Sequence, residues 1–514
     1  MNSFTNPVLR GHAPDPSVVR VGDDFYLANS SFGFLPGIPI SHSTDLVTWR
    51  TIGFAVTRPG QYRRDGQPGS INLFAPTLRH EEGVFYLVCT NQAEGQGNFF
   101  VTATSPEGPW SDAVWLDQEA FDPSLFRDID GRWYYTRRTL QFRPDGNLGP
   151  IVQAPIDIAT GTLGEFRPLT ANNRGFSSND IEGPHLFTRD GWYYLTGAEG
   201  SSWKGHMQTI GRSRSPWGPF EPAPHNPILT HRDRVAHPIQ SVGHADFVED
   251  ASGNWWAVSL GTRHDRFSSH HTLGRETFLT PVTWTEDGWP VVGHDGHTEE
   301  AFDDVPTPTD RGTRIDVADS LWLRGWRTLQ AGEPGVNGKQ TDDFIEVPAG
   351  PDLTERPPVG ALFRAQSEFD QTFSATVDSD DAVAAGVAVY TNSVHFFSAL
   401  VRPVGSGRAV SFRRVVDDML TETETVVPAQ GDLRLTVTAT GGRYTFTATV
   451  GHESWELGSG NSRLLSAEAA QWFVNVNFAL IAVDEGSNGG AARFGRVLIE
   501  EPLKTVPPAF EIPY

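Results

Sequence analysis

"APDPSVVRVGDDFYLANS", residues 13–30, holds a short apolar strand, a turn at Gly22 and an aromatic-rich second strand. Asp15 and a proline stand at its head, so the unit reads as a β-hairpin whose first strand starts on a carboxylate. The turn and second strand recur in "EEGVFYLVCT", "IDGRWYYTRR", "RDGWYYLTGA" and "ASGNWWAVSL". Their glycines, Gly83, Gly131, Gly191 and Gly253, follow Gly22 at successive spacings of 61, 48, 60 and 62 residues. A short apolar strand precedes each turn: "PDPSVVR", "APTLRH", "DPSLFRD", "EGPHLFTR" and "GHADFVED". A hairpin at this period leaves room for two more strands per repeat, which suits a propeller blade better than a sandwich. The five copies therefore predict an all-β, five-bladed propeller over residues 1–305.

The bulk properties agree. The chain has 514 residues, enough for more than one domain, with 52 glycines, 37 prolines and 57 aromatic residues (32 Phe, 15 Trp, 10 Tyr), a mixture that favours short strands and many turns. The formal charge is −23 and no basic run appears, which argues against nucleic acid or an anionic membrane surface as partner. Cys89 is the only cysteine, so no intramolecular disulfide forms, and its place in "VFYLVC" marks it as a buried strand residue. The start "MNSFTNPVLRGHAPDPS" lacks a basic stretch followed by an apolar core, and no apolar run reaches the ~18 residues of a membrane helix. A cytoplasmic protein is the expectation.

In a propeller the innermost strands run the same way along the central channel, so their first residues ring one mouth of it. Those positions are Asp15, the Phe74–Ala75 pair, Asp122, Glu182 and His244. Asp15 and Asp122 precede proline, and Asp-Pro is a common turn starter, so each alone reads equally as a turn residue. Glu182 is a poor turn residue at the corresponding point of another repeat, which shifts the reading of all three toward catalysis. Carboxylates in one pocket are the equipment for cleaving a glycosidic bond, one as protonated acid and another as ionised base or nucleophile. The third raises the acid's pKa by its charge.

Phe32 in "NSSFGFLPGIPI" and Phe74 in "INLFAPTLR" are candidates to pack on a sugar ring, with core packing as the plain reading. Arg275 in "TLGRETF" reads as an ion-pair or ligand contact. The His-rich segments "RHDRFSSHHTLG" and "GHDGHTEE" show no metal-ligand framework, and no phosphate loop or nucleophile elbow is present.

At "DDVPTPTDRGT", residues 303–313, the pattern breaks into a linker. Beyond it, "LRLTVTAT" (433–440) and "RYTFTATV" (443–450) alternate strictly around Gly441 and Gly442, predicting a β-sandwich over 306–514 with no titratable cluster.

The ordered set "APDPSVVRVGDDFYLANSSF", "SHSTDLVTW", "FAPTLR", "FDPSLF", "IEGPHLF" and "LGRETF" resembles glycoside hydrolase family 43, in its two-domain β-xylosidase type. The resemblance implies a five-bladed propeller followed by an accessory, concanavalin-like sandwich, expected to wall the pocket rather than bind polymer. It implies an inverting exo-enzyme that needs no cofactor and releases xylose from β-1,4-xylo-oligosaccharides, often with α-L-arabinofuranosidase activity. Asp15 would be the general base, Asp122 the residue that raises the acid's pKa and orients it, and Glu182 the general acid. Arg275 would contact the sugar and His244 lie under it, with a calcium ion beside it in some members. Phe74 stands where many members carry Trp. Relatives of this type are often dimers or tetramers. A non-catalytic sugar-binding propeller is the rival from another class, and it would have no use for an acid held protonated.

Overall fold

A computed structural model describes residues 2–64, 71–139, 150–170, 175–264, 269–305, 315, 317–329, 338–355, 359–379, 382–404, 407–471, 473–486 and 489–501. These residues form two compact units, 1–269 with 274–336, and 270–273 with 337–514. Strands dominate both, and the only α-helix among the described residues is the single turn Ala467–Ala470. None of them forms a helix long and apolar enough to cross a membrane.

The first unit is built from five antiparallel sheets. Blade I runs Ser17–Val21, Asp24–Ala28, Gly37–Ser43, Arg50–Val56, and blade II Leu73–Glu81, Val84–Asn91, Gly97–Ala103, Val114–Trp115. Blade III runs Ser124–Arg127, Trp133–Arg138, Ile151–Asp157, Thr162–Leu163, and blade IV Ile181–Arg189, Trp192–Glu199, Met207–Ser213, Glu221–Pro222. Blade V runs Ile239–Glu249, Trp255–Arg263, Arg275–Trp284, Pro290–Val292. The first strands of successive blades touch one another in a closed cycle, from blade I round to blade V and back, so they are the innermost ring of a propeller.

Turn chemistry follows the repeat. All five turn glycines have positive φ, between 65° and 85°, the left-handed region that glycine enters at no steric cost. Aromatic residues of the first and second strands fill the space between blades: Tyr26 packs edge-on against Phe85, Tyr86 tilts on Trp133, and Phe187 of blade IV stacks on Phe247 of blade V. Cys89 is buried in the second strand of blade II, where burial pushes its thiol pKa up, in keeping with a structural role.

The N-terminal strand Asn2–Thr5 pairs with Ala301–Val305 and closes the ring. Residues 306–313 of the expected linker lie outside the described residues, whereas 303–305 belong to that closing strand. The boundary expected at 305/306 lies further along: Thr328–Leu329 pairs with Phe34–Leu35, and Arg327 lies 4.5 Å over the Phe54 ring, so this stretch joins the first unit.

The second unit is a two-sheet sandwich. One sheet has seven strands and the other six, all antiparallel. Leu433–Thr440 and Arg443–Val450 show the alternating burial expected of half-buried strands, joined through Gly441 and Gly442, both at positive φ. Rings meet between the sheets, Phe373 with Phe478 at 5.1 Å and Phe412 with Phe446 at 5.1 Å. His271 of the His-rich segment is paired with Glu468 at 2.8 Å within this unit.

Candidate active site

Three of the five strand heads carry one backbone peculiarity on the functional side chain itself, and in blades II and IV it falls one residue later. Asp15, Ala75, Asp122, Gly183 and His244 all adopt left-handed φ, between 47° and 56°. For non-glycine residues this conformation carries strain, and it breaks the ladder so that each side chain turns out of the sheet toward the axis. The pairing registers shift at these points in blades II, IV and V. Glu182 therefore does not align with Asp15 and Asp122, as the sequence repeat suggested. It stands one residue earlier, level with Phe74 and Phe121. Space at Gly183 is also tight: a Cβ there would lie 3.0 Å from the His244 ring.

The three carboxylates are in one pocket but in different company. Asp15 is buried, accepts a hydrogen bond from Ser30 Oγ at 2.6 Å and pairs with Arg275 Nη1 at 3.0 Å, with His244 Nδ1 3.7 Å away. Burial pushes its pKa up, but the Arg275 guanidinium, His244 and the Ser30 hydroxyl outweigh it and hold the carboxyl below its ordinary value. Asp15 is thus the anion of the site. Asp122, equally buried, accepts the Gly183 N–H at 2.8 Å. Burial, then the charges of Glu182 and Asp15, push it well above the ordinary carboxyl range.

Glu182 is the most open of the three, its side chain 17% exposed against 5% for Asp15. Burial raises its pKa, Arg138 opposes that, and Asp180 and Asp15 add to it. Asp122 and Glu182 form a coupled pair that holds a proton above the ordinary carboxyl range while Asp15 stays charged.

An aromatic arc joins the two sides. Phe32 stacks on Phe74 (centroids 6.0 Å, planes 22° apart), and Phe74 meets Phe121 edge-on at 5.9 Å. Arg275 lies 5.5 Å over Phe32 at one end, and Arg138 lies 5.0 Å over Phe121 at the other. Each end of the arc thus presents a guanidinium bound to a carboxylate, Arg275 to Asp15 and Arg138 to Glu182. All seven residues named from the sequence, Asp15, Phe32, Phe74, Asp122, Glu182, His244 and Arg275, belong to this assembly.

Ser30, Phe121, Arg138 and Asp180 escaped the sequence reading. Arg138 Nη2 donates to Asp180 Oδ1 at 2.7 Å and Nη1 to Glu182 Oε2. The available signal was the pair Arg137–Arg138, two cations in an otherwise apolar strand that is buried throughout.

The resemblance allows a calcium ion beside His244, and the groups around that ring can be set against what such an ion needs. Two residues on from each strand head, Ser17, Thr77, Ser124, His185 and Asp246 form the next layer of the channel, all buried. Arg79 reaches into it: Nη1 donates to Asp246 Oδ2 at 3.0 Å and Ser17 Oγ at 3.3 Å, and Nη2 to His185 Nδ1 at 3.1 Å. Burial drives the His185 pKa down to about 4, so the ring is neutral and accepts that bond. A calcium site needs six to eight oxygens at about 2.3–2.6 Å. Here both carboxylates near His244, Asp15 and Asp246, already carry a guanidinium.

The family described as "Glycosyl hydrolases family 43" matches residues 4–290, and the "Beta xylosidase C-terminal Concanavalin A-like domain" matches residues 331–500. A non-reducing end α-L-arabinofuranosidase of Bacteroides ovatus is 37% identical over 94% of this chain and 92% of its own length. A β-xylosidase of Bacillus subtilis is 35% identical over 61% of this chain and 62% of its own length. Among solved structures, a xylan β-1,4-xylosidase from Bacillus halodurans superposes with a TM-score of 0.86 at 28% identity, covering 97% of this chain and 100% of that one.

Proposed function

The chain belongs to glycosyl hydrolase family 43, and from that premise we propose that it is an inverting exo-glycosidase that releases xylose from the non-reducing end of β-1,4-xylo-oligosaccharides. The observation that carries the reading is the division of charge in the pocket: Asp15 held anionic by Arg275 and Ser30, Asp122 and Glu182 held toward the protonated form. An inverting glycosidase needs one carboxylate to take a proton from water and one carboxylic acid to give a proton to the leaving oxygen. Asp15 is the base in this proposal. Glu182, the more accessible carboxyl, is the acid, and Asp122 raises and orients it.

The apolar arc Phe32–Phe74–Phe121 offers the faces of a sugar ring a dry wall, while Arg275 and His244 bind its hydroxyl edge. Phe74 provides less stacking area than the Trp that many members of the family carry there. The cation within the channel is Arg79, and the enzyme works without a metal. We place its action in the cytoplasm, on short soluble substrates.

A second reading, α-L-arabinofuranosidase or dual activity, draws on the Bacteroides ovatus relative, an arabinofuranosidase alike over nearly the whole chain. Proton NMR during the first minutes of hydrolysis of xylobiose and of an arabinofuranosyl xylo-oligosaccharide separates the two. Initial α-xylose from xylobiose is expected. Initial β-xylose would turn Asp15 into a nucleophile, arabinose alone would establish the second reading, and no release of either sugar would leave a binding protein.

A further inference from the structure

Among the described residues Glu182 has two side-chain donors: Arg138, and Ser202, whose Oγ lies 3.5 Å from its Oε1. Arg138 is 3% exposed and spends its two Nη groups on two carboxylates, Glu182 and Asp180. Glu182 is tucked beside the aromatic arc, whereas the Asp180 side chain is 30% exposed. Its Oδ1 takes the guanidinium, and its Oδ2 receives no hydrogen bond from any described residue.

The loop carrying Asp180 is fixed from behind. The buried Glu199 carboxylate accepts the backbone N–H groups of Phe176, Ser177 and Ser178, at 2.7, 3.1 and 2.5 Å, and the Thr209 hydroxyl at 2.6 Å. A Cβ at Gly175 would lie 2.4 Å from that carboxylate, so a larger residue there would push the Glu199 side chain out of this arrangement. Ser178 Oγ then caps the Asp180 N–H at 3.1 Å. A half-exposed anion held by a buried cation on an anchored loop is a prepared contact rather than a mobile surface charge.

Glu182, as general acid, must reach the oxygen that leaves, so the far side of it is where the departing sugar lies. Resting on the proposed function above, we propose that Asp180 is a specificity-determining residue for the leaving group: its free Oδ2 accepts a hydrogen bond from a ring hydroxyl of the departing pentose, and Arg138 positions it and the acid together. The substrate class this favours is an oligosaccharide, over a glycoside of a simple alcohol.

The test compares kcat/KM on xylobiose with kcat/KM on methyl β-D-xylopyranoside, in the wild type and in Asp180→Asn. Both leaving groups are alkoxides that need the acid's proton, so any disturbance of Glu182 through Arg138 enters both and cancels in the ratio. Only xylobiose offers hydroxyls beyond the scissile oxygen. The ratio is expected to fall about tenfold in the variant, the size of one hydrogen bond to a charged group. Asp180→Ser, scored the same way, replaces Asn if that variant folds poorly. An unchanged ratio, or equal losses on both substrates, would overturn the inference and leave the enzyme assignment intact. A wild type inactive on both substrates would overturn the assignment, and the inference with it.

Discussion

The ionisation of Asp122 and Glu182 is the chemistry on which the proposal turns, and the groups facing it pull in opposite directions. Burial, Asp15, Asp180 and the partner carboxylate raise the pair's pKa values, while Arg138 and Arg275 lower them. The last proton leaves the pair against the charge of the other member, and its loss sets the alkaline limb of activity. Asp122→Asn removes that charge, so Glu182 loses its proton at lower pH: the limb of kcat/KM should move down by about one unit, with a rate loss of about a hundredfold or more. Arg138→Met removes the opposing cation and should move the limb up by about one unit or more. A pH profile of both variants checks this, and shifts of the same sign would defeat the assignment of the proton to this pair. The acid limb reports Asp15, which loses its proton below the ordinary carboxyl range.

At the scale of the strand, what the sequence reveals and what it hides have a physical boundary. Asp15 and Asp122 were legible because Asp-Pro recurs at a strand head, and the left-handed backbone there is a local property of the chain. The offset of Glu182 was not legible, since glycine takes over the left-handed position in blade IV and the repeat shows no gap. Arg138, Asp180 and Arg79 act by bridging from one blade to another, and no periodicity along one strand encodes a neighbour 40 or more residues away.

Arg79 has the clearest consequence. It leaves blade II to join Ser17 of blade I, Asp246 of blade V and His185 of blade IV, so four innermost strands share one guanidinium. On the proposal that this built-in cation stands in for a bound one, the enzyme needs no metal. Dialysis against a chelator should leave kcat and Tm unchanged and calcium below a tenth of a mole per mole, by elemental analysis. Arg79→Met should lower Tm, because it strands a buried carboxylate whose pair is worth about 3–5 kcal/mol to break. Stoichiometric calcium with chelator-sensitive activity in the wild type would show that the channel holds a metal after all.

For the molecule as a whole, the chain's beginning lies where the first and last blades meet, and Phe4 packs in a core that both blades share. Repeat counting foresaw five blades and the sandwich, because hairpin turns and strand alternation are local; it did not foresee the closure, which pairs Asn2–Thr5 with a strand about 300 residues later. The contacts continue inward from there. Asn6 exchanges two hydrogen bonds of 2.9 Å with the Leu279 backbone, Val8 N–H meets Thr277 O at 2.9 Å, and Ala13 N–H meets Arg275 O at 2.9 Å. The segment that ends at Asp15 is therefore laid along the strand that begins at Arg275, and the base and its guanidinium are set by the same closure.

Phe4 anchors it. It is 5% exposed and packs on Trp256 and Phe302 in a core shared by Val18, Phe25 and Leu27 of blade I and Val248, Val258 and Leu279 of blade V. Phe4→Ala should cost about 3–5 kcal/mol in denaturant unfolding of the first unit, since the cavity opens where two blades meet. Because the same segment leads to Asp15, kcat/KM should fall at temperatures below the unfolding transition, with the acid limb moving toward the ordinary carboxyl range as Arg275 loses its hold. A variant that loses less than about 1 kcal/mol would show that the ring is closed by the blade I and blade V sheets alone.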